Sequence, residues 1–211
     1  MQNFDELMNT MYDIAPDEQE YYIGMMSGTS LDALDAVLCK YADDKPIIIA
    51  THSQAFAAEL KSLLLALCTP NGTAELAVDD FACFDELDFW GLGCRLYAEF
   101  ASSVVHELLQ KTDITAQDIT AIGCHGQTVR HRPEFAFSLQ LLDPNILAQR
   151  TGIAVVSDFR RRDMAVGGQG APLVPAFHQA MFGDRRAVVL NLGGIANITV
   201  LGDTVLGYDT G

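Results

Sequence analysis

Positive charge is scarce in this 211-residue chain: 13 lysines and arginines stand against 28 aspartates and glutamates, a formal net charge of −15. Such a surface repels nucleic acid and anionic lipid, which argues against both as partners. The cysteines lack pattern. Cys39, Cys68, Cys83, Cys94 and Cys124 are odd in number and contain no Cys-x-x-Cys pair. Neither a disulfide framework nor a zinc site is expected, and most should be buried reduced thiols of a cytoplasmic protein. Long apolar runs are missing too. Residues 1–20 are acidic and broken by polar residues, unlike a signal peptide or anchor, and no stretch reaches the ~20 apolar residues of a spanning helix.

What is present is a globular composition. Hydrophobic residues make up 49% of the chain, enough for a sizeable core. At ~150 residues per domain, the length fits one large domain or one and a half. Six of the nine arginines fall between Arg130 and Arg162. That clustering fits either a local anion site or ordinary surface ion pairs.

The pattern of apolar residues predicts strands at 21–26, 36–41 and 46–53, with the first two forming a hairpin. A helix is expected over 57–67, ended by Thr69-Pro70-Asn71-Gly72. Leu92, Leu96, Phe100, Val104 and Leu108 recur every four residues and predict a long helix with one buried face. Further strands are expected at 119–124, 135–141, 154–157, 187–192 and 198–201, with short helices at 144–149 and 175–182. Gly167-Gly168-Gln169-Gly170 reads as a flexible loop. Strands that come first in a hairpin, then alternate with helices, then return in a hairpin specify an α/β fold with a mixed sheet flanked by helices. No repeat or linker divides the chain. The expected organisation is a polar lead-in over 1–20 and a single lobe over 21–211, with the last strand pattern still running at Gly211.

Five motifs carry candidate chemistry. Gly28-Thr29-Ser30-Leu31-Asp32-Ala33-Leu34-Asp35 follows a strand and offers backbone N–H groups and hydroxyls to phosphate oxygens, while its aspartates could hold Mg²⁺ through water. It is not a Gly-x-x-x-x-Gly-Lys loop, and a plain hairpin turn capped by Asp32 would look the same. Cys124-His125-Gly126-Gln127-Thr128 ends another strand with groups able to bond sugar hydroxyls. His125 could equally be a structural donor, and a Cys124–His125 nucleophile pair is discounted because adjacent residues rarely reach each other. Asp158-Phe159-Arg160-Arg161-Arg162-Asp163 and the glycine-rich segment after it could clamp a carboxylate or phosphate, or simply form ion pairs. Asn191-Leu192-Gly193-Gly194-Ile195-Ala196-Asn197 is a second strand–glycine–strand turn. Asp209, between glycines at a strand end, is a candidate general base or a turn residue.

Together, two strand–glycine-turn–strand units and a late aspartate resemble the sugar-kinase and actin superfamily. More specifically, YIGMMSGTSLDALDAV, GCHGQTVRHRP, DPNILAQRTGIAVVSDFRRRDMAVGGQGAPLVPAFH, VLNLGGIANIT and GYDTG resemble the anhydro-N-acetylmuramic acid kinase family from about Tyr21 onward. The resemblance implies an actin-like ATPase (ribonuclease H-like) lobe whose second, C-terminal lobe is missing. It implies a kinase of peptidoglycan turnover and amino sugar catabolism that uses ATP and Mg²⁺. That enzyme hydrolytically opens 1,6-anhydro-N-acetylmuramic acid and phosphorylates its 6-oxygen, giving N-acetylmuramic acid 6-phosphate. It further implies that Gly28, Thr29, Ser30, Leu31, Asp32, Ala33, Leu34 and Asp35 form the ATP-phosphate loop and that Asp209 is the catalytic base. His125, Gly126, Gln127, Thr128, Gly168, Gln169 and Gly170 would line the sugar site. No residue is assigned as a metal ligand, and a homodimer is compatible with the resemblance. Ala33 and Leu142 stand where the family usually has glycine. One lobe alone is expected to be inactive or nearly so, and a catalytically incomplete sugar-binding or regulatory module is the competing expectation.

Overall fold

A computed structural model describes residues 20–42, 45–76, 83–193 and 196–210. The lead-in before Glu20, Gly194 and Ile195 of the second glycine turn, and Gly211 lie outside the described residues. The chain opens with three antiparallel strands, β1 (Tyr21–Ser27), β2 (Ala33–Ala42) and β3 (Lys45–Ala55). Two helices follow, α1 (Ala58–Cys68) and α2 (Glu86–Leu109). They carry the chain back so that β4 (Ile119–Cys124) runs parallel to β1, and the two-residue β7 (Val155–Val156) runs parallel to β4. The resulting sheet has the order β3-β2-β1-β4-β7. Between β4 and β7 lie a small hairpin, β5 (Gln127–Arg132) and β6 (Phe137–Leu141), and helix α3 (Pro144–Thr151). Beyond β7 come α4 (Phe159–Ala165), α5 (Pro175–Phe182) and a separate antiparallel sheet of β8 (Ala187–Asn191), β9 (Asn197–Leu201) and β10 (Leu206–Asp209).

Alternation along β1 decides where the core sits. Ile23, Met25 and Ser27 are buried, while Gly24 and Met26 are exposed on the opposite face. On the buried side the sheet meets α1 and α2 through Leu64, Tyr97, Ala101, Val104 and Leu108, all fully buried. Phe56 ties this layer together, with ring centroids 6.1 Å from Tyr97 and 5.0 Å from Phe100. The other face is covered less. At β4, Phe159 of α4 reaches across Gly123, whose missing side chain would have stood 3.6 Å from that ring.

The long helix exists, but its buried face is not the one the four-residue repeat picks out. Leu92, Leu96 and Phe100 are only partly buried, and the core residues are Phe89, Gly93, Tyr97, Ala101, Val104, Val105 and Leu108. The buried residues Phe89, Gly93, Tyr97, Ala101 and Val105 are spaced by four as well, so the spacing finds the helix without choosing between neighbouring stripes. Two elements were not foreseen. β5 takes in Gln127 and Thr128, which the pattern placed in a loop, and α4 forms from the arginine cluster. The cysteine expectation holds only in part: Cys94 and Cys124 are buried, Cys39 and Cys68 half-buried and Cys83 exposed, all as free thiols.

Helix α2 starts on a reciprocal cap. Asp85 accepts from the N–H groups of Leu87 (2.8 Å) and Asp88 (3.0 Å), and Asp88 accepts from the N–H of Asp85 at 3.0 Å. Asp85→Ala removes the partner of two otherwise orphan donors and is expected to lower stability by about 1 kcal/mol. A urea denaturation midpoint unchanged from the parent chain would contradict this.

Candidate active site

The end of β1 is fixed by a buried hydrogen-bonded group. Ser27 Oγ donates to Gln127 Oε1 at 2.7 Å and lies 2.9 Å from Tyr97 Oη, so β1, β5 and α2 meet at one point. From there the chain turns through Gly28-Thr29-Ser30-Leu31, closed by Leu31 N–H donating to the Gly28 carbonyl at 3.3 Å. Leu31 adopts a left-handed backbone (φ 54°), uncommon for a leucine, while its side chain is fully buried. The buried side chain anchors the turn and leaves Gly28, Thr29 and Ser30 facing outward.

That turn forms one wall of a cleft of about 640 Å³. His125 after β4, Arg160 of α4, the Ala171–Val174 segment, His178 of α5, Asn191 and Gly193 of the second glycine turn, Asn197 and Asp209 complete it. The two glycine turns and the late aspartate, distant in sequence, therefore share one space. A Cβ placed on Gly28 would meet nothing closer than Ser30 Oγ at 3.9 Å, so the approach to this backbone is open.

The other expected residues are distributed differently. Asp32 points away to Lys61 Nζ (3.4 Å), and its carboxyl is held below the usual range by the Ser30 hydroxyl and then by Lys61. Ala33 begins β2 opposite Ala55 with no positive φ, so its methyl group does not strain the turn. Leu34 is buried in the core. Asp35 pairs with Met26, and directly opposite residues share a face, which puts this carboxylate beside the cleft rim. Gly126 has φ +79°, and a Cβ there would fall 2.4 Å from the Leu141 carbonyl oxygen; its role is to let β5 turn back against β6. Gln127 is buried and committed to Ser27, and Thr128 Oγ1 accepts from Gln140 Nε2 at 3.2 Å.

Gly168, Gln169 and Gly170 do not line the cleft either. Asp163 accepts from Gly170 N–H at 2.8 Å, and a Cβ on Gly168 would collide with that carboxylate at 2.1 Å. The glycine-rich loop is thus folded onto α4, and its job is to deliver the following Ala171–Val174 segment to the cleft. Of the cleft residues, His178 lay outside every motif, while Phe159, Asn191 and Asn197 lay in motifs that gave them no role of their own. The paired asparagines sit opposite each other at the ends of β8 and β9, a symmetry visible in the sequence around Gly193. His178 is buried with Nδ1 2.9 Å from Thr199 Oγ1, and nothing in its sequence context marks it.

Arg160 and His125 set the electrostatics. Arg160 Nη1 donates to the Gly170 carbonyl at 2.7 Å, and its Nε is buried without a partner. Burial lowers the basicity of this guanidinium, and the Asp209 carboxylate raises it again. His125 is held below its ordinary 6.5 by burial and then by the positive charge of Arg160, so the ring is neutral at pH 7. Burial also pushes the Cys124 thiol up to about 11, which removes it as a nucleophile.

The sheet is mixed, in the order β3-β2-β1-β4-β7, and residues of both glycine turns border one cleft. Residues 20–211 match the family model for anhydro-N-acetylmuramic acid kinase, and the chain belongs to that family. Relatives of that name are 56% identical in Psychrobacter cryohalolentis and 49% identical in Shewanella sp. strain ANA-3, each alignment covering 90% of this chain and 50% of the relative. The chain thus spans about half the length of the curated relatives it matches. Among solved structures, the crystal structure of the Aquifex aeolicus member of the Ppx/GppA protein family aligns at 9% identity with a TM-score of 0.34, over 90% of this chain and 51% of that one. An exopolyphosphatase-like protein aligns at 10% identity with a TM-score of 0.36, over 92% and 52%. Among the described residues no helix is long and apolar enough to cross a membrane.

Two outcomes follow from the site's construction. Gln127→Leu leaves the Ser27 hydroxyl without its amide acceptor and should cost about 1–3 kcal/mol in chemical denaturation, far more than an exposed glutamine would. The neutral His125 makes folding pH-dependent: the unfolded chain takes up its proton near 6.5 while the folded chain resists, so stability is full above 6.5 and falls as pH drops toward the depressed folded value. In His125→Gln the loss of melting temperature between pH 7.5 and 5.5 should be smaller than in the parent chain. An identical pH slope in the two proteins would rule out His125 as a source.

Proposed function

We propose that this chain forms one side of the active cleft of an ATP-dependent kinase of peptidoglycan turnover. The enzyme would open 1,6-anhydro-N-acetylmuramic acid with water and phosphorylate the 6-oxygen. The observation that carries this is the single cleft shared by the Gly28–Ser30 turn, Arg160 and Asp209. Phosphoryl transfer needs positioned donors and charge neutralisation more than covalent help, and these residues supply both.

The turn fits a polyphosphate: Gly28 leaves its backbone open, Thr29 and Ser30 bring hydroxyls, and no side chain crowds the approach. ATP, when bound, supplies the transferable phosphoryl group. Among the described residues no cluster of three ligating side chains would cage a metal. Mg²⁺ needs only one or two carboxylates besides phosphate oxygens, and Asp35 at the rim meets that requirement. Asp209 is the carboxylate in the cleft free to take a proton from water attacking the anomeric carbon. Arg160, desolvated and positively charged, would hold an anionic group of the sugar or phosphate in place. The reaction takes place in the cytoplasm, where ATP is available.

The module reading drew on Ala33 and on the missing second lobe, and the extended backbone at Ala33 takes the first of these supports away. Because closure over the nucleotide requires a second wall, turnover should need the half of the relatives' length that this chain does not span. The test mixes sugar and Mg-ATP with the 211-residue chain, alone and extended by the remaining half of a relative, and looks for phosphorylated ring-opened sugar by mass spectrometry. Product should appear only with the extended protein, and Asp209→Asn should reduce its rate roughly 10²–10⁴-fold. No product from either protein would end the kinase reading, and product from the 211 residues alone would end the claim that one side is insufficient.

A further inference from the structure

Arg160 and Asp163 stand three residues apart on α4, the spacing at which opposite charges on one helix face meet directly. Asp158 and Arg161, also three apart, are bonded in this way, with Arg161 Nε donating to Asp158 Oδ1 at 2.7 Å. Arg160 and Asp163 are not, because Gly170 stands between them. Asp163 Oδ2 accepts from the Gly170 N–H at 2.8 Å, and the Gly170 carbonyl accepts from Arg160 Nη1 at 2.7 Å. Among the described residues Arg160 makes no ion pair.

The difference has a chemical consequence. A carboxylate bonded to a guanidinium holds it still and also cancels its charge, whereas a carbonyl holds it and leaves the charge in place. The arrangement depends on two glycines. Gly170 has a left-handed backbone (φ 73°), and a Cβ on it would stand 3.0 Å from Met164 Sδ and 3.3 Å from the Arg160 carbonyl oxygen. A Cβ on Gly168 would fall 2.1 Å from Asp163 Oδ2, so the missing side chain is what admits the carboxylate. The start of the loop is tied to the same aspartate: the N–H groups of Val166 and Gly168 donate to its main-chain carbonyl at 3.1 and 3.0 Å. Arg160 lines the main cleft and Asp163 does not, so Asp163 reaches a ligand in the cleft through Arg160.

We propose that Asp163 is a positioning residue for the transfer reaction: acting through Gly170, it fixes the Arg160 guanidinium in the cleft without neutralising it. The proposal rests on the reading of the cleft as a kinase site, where Arg160 meets an anionic group. It gives the glycine-rich loop a task in the chemistry although Gly168 and Gly170 touch no ligand. Orientation set in advance matters here, since a small misplacement of a group that binds the reacting anion is costly in rate.

The kinetic test uses the 211-residue chain extended by the remaining half of a relative. Asp163→Ala and Gly168→Ala should each lower kcat/KM roughly 10- to 100-fold. Asp163→Asn keeps an oxygen for the Gly170 N–H and should recover most of the loss. Added to Arg160→Ala, the Asp163→Ala change should cost nothing further, a result that a merely structural role would not give. If Asp163→Ala folds poorly, Gly168→Ala carries the test, since Gly168 has no positive φ for a side chain to strain. In the 211-residue chain the Arg160 Nε–H signal in nitrogen-edited NMR, identified by its loss in Arg160→Ala, should shift in Asp163→Ala and stay in place in Asp163→Asn. A signal unmoved in both, a rate loss as large in Asp163→Asn as in Asp163→Ala, or a loss undiminished beside Arg160→Ala would overturn the proposal. A signal that moves as expected in a protein whose extended form yields no product would leave the Asp163–Gly170–Arg160 bridge standing and end the kinase reading; product at the parent rate from Asp163→Ala would end the proposal and leave the kinase reading intact.

Discussion

The Gly28 turn and His125, two parts of the cleft wall, flank the hydrogen-bonded junction of Ser27, Tyr97 and Gln127. It joins the last residue of β1, the middle of the long helix and the first residue of β5 in a fully buried setting. Burial drives the Tyr97 phenol's acidity far down, keeping it a neutral hydroxyl, and each partner satisfies another. One residue beyond Ser27 lies the outward turn at Gly28, and two residues before Gln127 lies His125. A displacement of the junction would therefore move the Gly28 turn and His125 together. A network of three uncharged groups suits this task, because every member is paired and no ion has to be desolvated to hold the register.

Outward from the junction, the glycines act mainly as clearances. Gly126 lets β5 reverse beneath Leu141, Gly123 admits Phe159, and Gly168 makes room for Asp163. Asp163 then fixes Gly170, and the Gly170 carbonyl fixes Arg160. The arginine that enters the cleft is thus aimed by a chain of backbone contacts several residues downstream. Placing side chains on rigid elements in this way is what a transfer reaction demands, since it gains little from groups that have to be reordered during the step.

The α/β class, the mixed sheet and nearly every strand could be read from short apolar runs bounded by turn residues, and burial alternates along β1. The four-residue stripe in α2 misled for a geometric reason: it found the helix and missed its inner face. α4 was hidden because three successive arginines look like a solvated loop, and its helical form depends on Phe159 packing over Gly123, a contact no local pattern announces. The site was legible as segments rather than as residues. Gly28, Thr29, Ser30, His125 and Asp209 line the cleft, whereas Leu31, Leu34, Gly126, Gln127, Gly168 and Gly170 shape it from behind. A motif records both kinds of residue alike, since an anchor such as Leu31 is as necessary to the turn as the backbone it presents.

The strongly acidic composition and the anionic ligands of the proposed reaction look opposed until the charges are located. Asp32 is drawn off to Lys61, Asp158 is matched by Arg161, and the Asp163 carboxylate accepts from the Gly170 N–H. Arg160 has no carboxylate bound to it, only a carbonyl, and its Nε is still unpaired in a desolvated position. The field inside a cleft depends on which charges are neutralised within a few ångströms and not on the sum over the surface, where water and salt screen the excess. A chain of net charge −15 can therefore keep a positive group, Arg160, in its cleft, with Asp209 the carboxylate among the described residues of the cleft wall.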